Sequence, residues 1–282
     1  MKIYCMPFKT QLGNHLIALT NAIHYAEKTD STIYIPKDSL LPGLCDTIVP
    51  FHPDVDKTII HDTFHGEGIY YYARLLLTEQ ERRDVLHRHV ITHLPRPTEC
   101  LSDRHLVIHV RSGDLYTRHY HPAYQQPPLV FYTHIIEEGD YEEITIVTQP
   151  DRLNPVIARL IELYPGRITV RSEDETSDVR FILSARHLVM SIGSFSYMLS
   201  LCSQCLERLY CFEAQKNIYY PTAPYEIIVI GLEDYTTYPR DWRDENAVMQ
   251  IFPGWKTRRV DMSEALDIPK SFWENGRPDL WK

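Results

Sequence analysis

The chain has 282 residues, 44% of them hydrophobic, with 38 acidic against 29 basic side chains and a formal charge of −9. That length supports one large domain or two of roughly 100–150 residues each. The acidic balance excludes a surface built for a nucleic-acid backbone or for anionic lipid, so any anion must be held by local groups.

Strand and helix patterns alternate from the start. KIYCMPF is a short apolar run and QLGN a turn. HLIALTNAIHYAEKT places Leu16, Leu19, Ala22, Ile23 and Ala26 at helical spacing, and STIYIP alternates as a strand does, which together make a βαβ unit. Residues 40–70, rich in Pro, Gly and His, read as loop with short strands. TEQERRDVLHRHVITHL at 78–94 opens on Thr78 and Glu81, the capping-box signal of a helix start. PRPTECLSD at 95–103 is the linker candidate, because two prolines one residue apart oppose both helix and strand.

Beyond it the alternation resumes. RHLVIHVR is a strand, FYTHIIEEG a helix, EITIVTQ a strand, LNPVIARLIELYP a helix and ITVRS a strand. DVRFILSARH is then a helix, HLVMSIGS a strand ending in a turn, and SFSYMLSLCSQ another helix. Strands alternating with helices of this length imply an α/β fold with parallel sheets covered on both faces. From 236 onward the periodicity fades into Trp, Asp, Pro and Arg, which reads as a returning tail.

No run approaches 18 consecutive apolar residues, so no membrane span is expected. Met1 leads almost at once into the strand-like Ile3-Tyr4-Cys5, without the basic start and apolar core of a secretory leader, and a cytoplasmic protein is expected. Of the six cysteines only Cys202, Cys205 and Cys211 cluster, with no second pair to complete a zinc site. They read as reduced thiols, with Cys202-x-x-Cys205 keeping a metal or disulfide role open.

In open α/β sheets ligands bind beyond the carboxyl ends of the strands, which directs attention to Gly13-Asn14, to Arg111 through Asp114, and to Ser191 through Ser196. The last of these sets several backbone N–H groups and two or three hydroxyls at a helix N-terminus, an arrangement that suits an anion. Its plainer reading makes Ser194 an N-cap and Gly193 a turn residue. Arg111 ends a strand and is followed by Ser112-Gly113, which lets the chain turn and a ligand approach. A guanidinium there can grip a phosphate through two parallel hydrogen bonds, or pair with Asp114 as a surface ion pair. His109 is either a catalytic group or a satisfied core histidine.

At Gly13-Asn14 the absence of G-x-G-x-x-G argues against a nicotinamide role. The histidine groups at 61 and 65, at 87, 89 and 93, and at 119 and 121 have no H-E-x-x-H and no acidic partner at a fixed offset, so no metal site is expected. Asp54-Val55-Asp56 has a D-x-D form but follows His-Pro and reads as solvated loop.

With these residues in place, the sequence resembles the fucosyltransferase-type glycosyltransferases of the α1,2/α1,6 and protein O-fucosyltransferase superfamily. His109-Val-Arg-Ser-Gly-Asp114 is similar to that family's H-x-R-x-G-D motif. DVRFILSARHLVMSIGSFSYMLS at 178–200 is similar to its later motif, and LGNHLIALTNAIHYA to its G-N-Q opening. The resemblance implies a GT-B fold of two Rossmann-like domains whose parallel sheets face a central cleft. Residues 1–98 would form the acceptor-side domain, 101–235 the nucleotide-sugar domain, and 236–282 a tail packing back on the N-terminal domain.

It implies that Arg111 binds the donor pyrophosphate and that Ser191, Gly193, Ser194, Phe195 and Ser196 hold the β-phosphate through hydroxyls and backbone amides. Asp178 would lie near the base or ribose and Asn14 at the cleft. His15 stands where the family has Gln, Ser112 where a second Arg is frequent, and Tyr197 where Trp is usual. The donor is expected to be GDP-fucose, or UDP-xylose as in the chlorella-virus type of enzyme, and the acceptor a hydroxyl of a glycan or glycoprotein.

The expected reaction is an inverting transfer with no cofactor and no divalent metal. Asp114 is the first choice of base, with His109 and Asp62 in reserve, and Arg111 and the 191–196 turn supply the charge stabilisation. A sugar-nucleotide or carbohydrate binding protein without catalysis would keep the same Arg and Ser pattern.

Overall fold

The computed structural model describes residues 2–5, 12–30, 32–34, 58–61, 77–116, 126–213, 223–233 and 256–260. These divide into two compact units. The first is Met1–Thr98 with Ser194–Gln204, and the second is Glu99–Gly193 with Cys205–Lys282.

The first unit carries a parallel three-stranded sheet in which β1 (Lys2–Cys5) lies between β2 (Thr32–Tyr34) and β3 (Thr58–His61). The expected βαβ unit is β1, α1 (Leu12–Thr29) and β2. Helix α1 buries Leu16, Ile17, Leu19, Ala22, Ile23 and Ala26, a stripe at three- and four-residue spacing. Leu12-Gly13-Asn14, expected as a turn, already forms the helix's first turn.

Helix α2 (Glu79–His89) starts where Thr78 and Glu81 predict. The Glu81 amide donates to the Thr78 hydroxyl at 3.2 Å, and the Thr78 amide donates to the Glu81 carboxylate at 2.8 Å, which satisfies two of the donors that a helix start leaves open. Arg82 of α2 is only 2% exposed. It donates to Thr20 Oγ1 at 3.3 Å and Asn21 Oδ1 at 3.2 Å of α1, so its charge is hydrogen-bonded inside the helical layer.

The second unit is built on a seven-stranded sheet in the order β10-β9-β8-β7-β4-β5-β6. Its strands are β4 (His105–Val110), β5 (Glu143–Thr148), β6 (Ile168–Arg171), β7 (His187–Val189), β8 (Arg208–Phe212), β9 (Glu226–Leu232) and β10 (Thr257–Val260). Strands β4 to β9 pair in parallel and β10 is antiparallel to β9. The α/β class expected from the sequence is therefore what the chain adopts.

All six residues of β4 are buried, as a central parallel strand covered on both faces requires. Ile108, Val110, Ile144 and Ile146 of the sheet join Phe131, Tyr132 and Ile135 of α3 (Leu129–Glu138) and Leu160 of α4 (Pro155–Leu163) in one core. Helix α5 (Glu175–Leu183) is capped by Asp174, whose carboxylate accepts from the Ser177 amide at 3.0 Å.

Three further features follow from the element order. Strands β8 and β9 follow α6 (Ser194–Cys202) in stretches to which no element was assigned. Helix α6 belongs to the first unit although it interrupts the sequence of the second. In the 236–282 stretch, the described strand β10 extends the second sheet, four of its residues pairing in register with β9.

Cysteine chemistry also differs. Cys100 and Cys205 form a disulfide, while Cys202 and Cys211 are buried thiols, so the reading of all six as reduced thiols is corrected. The bond fastens the linker region to the chain leaving α6, two segments 105 residues apart in sequence. No helix among the described residues is long and apolar enough to cross a membrane.

Reduction with dithiothreitol should lower stability by about 2–4 kcal/mol, the usual cost of opening a long disulfide-closed loop. Thermal unfolding reads this as a fall in Tm, and the Cys100→Ser/Cys205→Ser variant should start at the lower Tm and no longer respond. A Tm unmoved by complete reduction would contradict the staple.

Candidate functional site

The order of the large sheet places one point apart from the rest. From β4 the chain runs outward through β5 to β6, then returns with β7 on the other flank of β4 and continues to β8 and β9. The direction of winding reverses between β4 and β7. In open parallel sheets such a reversal leaves a crevice beyond the carboxyl ends of the two strands, because their connections depart to opposite sides. Arg111 follows β4 directly, and Ser191 follows β7 by two residues.

These two segments touch. Ile108 pairs with Val189 across the strands, and just beyond, the Arg111 amide donates to Ser191 Oγ at 2.8 Å. The Arg111 side chain lies over Gly193. A Cβ on Gly193 would come within 2.5 Å of Arg111 Nη1, and Gly193 has φ +100°, a backbone conformation that L side chains rarely adopt. The turn thus requires glycine, and a Cβ there would also push the Arg111 guanidinium aside. Arg111 and the Ser191–Gly193 part of the expected partner segment Ser191–Ser196, 80 residues apart, meet in the second unit, whereas Ser194–Ser196 belong to the first.

The turn at 111–114 is held from the other side by residues that follow β5. Ser112 is fully buried; its amide donates to Gln149 Oε1 at 2.5 Å, and its hydroxyl accepts from the Asn154 amide at 3.0 Å. Gly113, at φ +57°, donates its amide to Asp151 Oδ1 at 3.1 Å. Burial works to raise the Asp151 pKa, but hydrogen bonds from the Ser112 hydroxyl and the Leu153 and Gly113 amides outweigh it and lower the value. Gln149, Asp151 and Asn154 were missed by motif reading. Their only signal is that QPDRLN directly follows a strand.

The other expected site residues fall as follows. His109 lies inside β4, 7% exposed, and desolvation, followed by the Arg111 charge, pushes its pKa down to about 3. Its imidazole is neutral at ordinary pH and a weak base, which fits a core histidine. Asp114 lies in the 3₁₀ turn Gly113–Tyr116, and its side chain lies outside the described residues, as do Asp54, Asp56 and Asp62.

Asp178, in the first turn of α5, accepts from Arg171 Nε at 3.0 Å and from the Glu173 amide, tying that helix to the end of β6. Burial raises its pKa against the pull of Arg171.

In the first unit, the start of α6 meets the start of α1. The Ser194 hydroxyl donates to Asn14 Oδ1, and a Cβ on Gly13 would lie 2.5 Å from the Phe195 amide nitrogen. Gly13 therefore serves close helix packing. Tyr197 donates its hydroxyl to Glu79 of α2. Ser196 is fully buried, so the accessible hydroxyl at this helix start is that of Ser194, which is partly exposed.

No family model matches the chain, and no curated protein does. Among solved structures it is similar to the E. coli heptosyltransferase WaaC with ADP, at 10% identity and TM-score 0.43 over 88% of this chain and 96% of that one. It is also similar to the NodZ alpha-1,6-fucosyltransferase soaked with GDP-fucose, at 11% identity and TM-score 0.40 over 71% of this chain and 92% of that one. A third is the iron-containing dodecameric glycosyltransferase TibC of enterotoxigenic E. coli H10407, at 12% identity and TM-score 0.46 over 95% and 69%. The site is read below from its own residues.

The depressed His109 pKa sets a sign for acid sensitivity. Below the unfolded value of 6.5 the unfolded chain takes up a proton that the folded chain refuses until about pH 3. Stability is therefore held above pH 6.5 and falls as pH drops through that window, by up to about 1.4 kcal/mol per pH unit for one proton. Urea unfolding of His109→Gln at pH 7.5 and pH 5 should show a smaller loss on acidification than wild type; an equal loss would contradict a neutral, buried His109.

Proposed function

We propose that the chain is a glycosyltransferase of the GT-B type. It moves a sugar, fucose or xylose, from a nucleoside diphosphate donor to a hydroxyl of a glycan acceptor, with inversion and without a divalent metal. The observation that carries this reading is the Arg111 guanidinium seated over Gly193 where the sheet reverses its winding. A fixed cation beside a glycine turn at that point suits a diphosphate: the planar fork matches two phosphate oxygens, and the missing Cβ of Gly193 leaves room for the guanidinium itself.

In a sugar transfer the bond from the anomeric carbon to the diphosphate oxygen breaks while the acceptor oxygen bonds to that carbon and loses its proton. Negative charge grows on the departing diphosphate. Arg111 stabilises it without rearranging, because its backbone is tied to Ser191 and its carbonyl to Asn154. A carboxylate is the fitting proton acceptor. Asp114, three residues after Arg111, takes that role in preference to His109, whose ring is buried and too weakly basic. Asp178 is the residue assigned to the base or ribose of the donor. The chain's partners are of two kinds, nucleotide sugars and glycans.

Thermal-shift screening with GDP, UDP and their sugars identifies the donor, since a ligand that binds the folded state raises Tm. Transfer should persist in EDTA. Arg111→Ala should lower kcat/KM by about 10²–10³-fold with Tm little changed, and Asp114→Asn should reduce kcat far more than donor affinity. Activity abolished by EDTA and restored by manganese would overturn the metal-independent reading and return Asp54 and Asp56 as ligands. Donor binding without transfer or donor hydrolysis, across a broad acceptor panel, would mark a binding protein.

A further inference from the structure

We propose that Asn154 is a positioning residue for the diphosphate grip, fastening the Arg111–Ser112 peptide to the N-terminus of α4; this rests on Arg111 being the donor-binding residue. Asn154 is 1% exposed, and every polar group it has is engaged. Its backbone amide donates to Ser112 Oγ at 3.0 Å. Its side-chain Nδ2 donates to the Arg111 carbonyl at 3.0 Å and to Gln126 Oε1 at 3.4 Å. Its Oδ1 accepts from the Val156 amide at 3.1 Å and so caps the helix.

The residue type is what separates positioning from capping. An N-cap needs only an acceptor, and Ser, Thr and Asp supply one about as well as Asn. Among these only Asn also carries an N–H to offer, and here that donor goes to the carbonyl of the arginine. Pro155 at the first helical position already favours the helix start without help from the cap's identity.

The consequence is mechanical. The Arg111 peptide is held at its amide by Ser191 and at its carbonyl by Asn154, while the next amide is held by Gln149. Loss of the Asn154 donor removes its hydrogen bond to the partly buried Arg111 carbonyl, and the backbone that aims the guanidinium is released on one side. A longer side chain on a loose backbone grips poorly, since catalytic geometry tolerates little displacement.

The test compares Asn154→Ser with wild type, using the full chain and calorimetric titration of GDP and of UDP, with Tm measured alongside. Serine keeps the cap, and its hydroxyl ends one bond short of the position from which Asn154 Nδ2 donates to the Arg111 carbonyl. The expected result is a Tm close to wild type, a Kd for the bound nucleotide raised about tenfold, and a donor KM raised similarly with acceptor KM unchanged. Asn154→Asp provides a second variant, because a carboxylate caps well at a helix start yet cannot donate; it should weaken nucleotide binding at least as much. If wild type binds a nucleotide and both variants bind it equally tightly, or if only Tm falls, the positioning role is overturned while the donor reading stands. If wild type binds neither GDP nor UDP, the donor reading itself falls.

Discussion

The arrangement in the second unit depends on one contact, the Arg111 guanidinium resting where Gly193 has no Cβ. Any other residue at 193 would meet Arg111 Nη1 at 2.5 Å and would have to adopt φ +100°. That space exists because β7 returns beside β4 rather than beside β6, which brings the end of one strand's connection over the end of the other. Sheet order, glycine and arginine are thus parts of one device. Ser191 and Asn154 fasten it from opposite sides, one at the Arg111 amide and one at its carbonyl.

Local features of the chain were legible where their physics is local. The Thr78 and Glu81 spacing announces a helix start because the two residues bond each other's backbone. The unbroken burial of His105–Val110 matches an apolar strand of a parallel sheet, and the Ser-Gly-Asp that follows marks its polar end. The rule that ligands gather beyond strand ends therefore selected Gly13-Asn14, Arg111–Asp114 and Ser191–Ser196 from sequence alone. That Arg111 meets Ser191 and Gly193 is a fact of strand order, which no local pattern encodes.

The residues that were missed share a reason. Gln149, Asp151 and Asn154 act through a backbone 37 to 43 positions away, and nothing in TQPDRLNP distinguishes a scaffold from a loop. The periodicity of SFSYMLSLC shows that the helix is apolar but not that its partners are α1 and α2. Cysteine spacing does not state connectivity, so the pairing of Cys100 with Cys205 overturned a reading based on clustering. Gly13 drew notice only as a residue beyond a strand end, and it admits the first turn of α6 against α1.

A double-mutant cycle on Arg111 and Gly193 tests the contact most directly, read as the Kd of whichever of GDP or UDP the wild-type chain binds. A methyl group at 193 strains the turn and also displaces the guanidinium, so Gly193→Ala should weaken binding about tenfold more when Arg111 is present than it does in Arg111→Ala. Equal weakening in both backgrounds would contradict it, since Gly193 would then act through the turn alone and Arg111 would have no part in the same site.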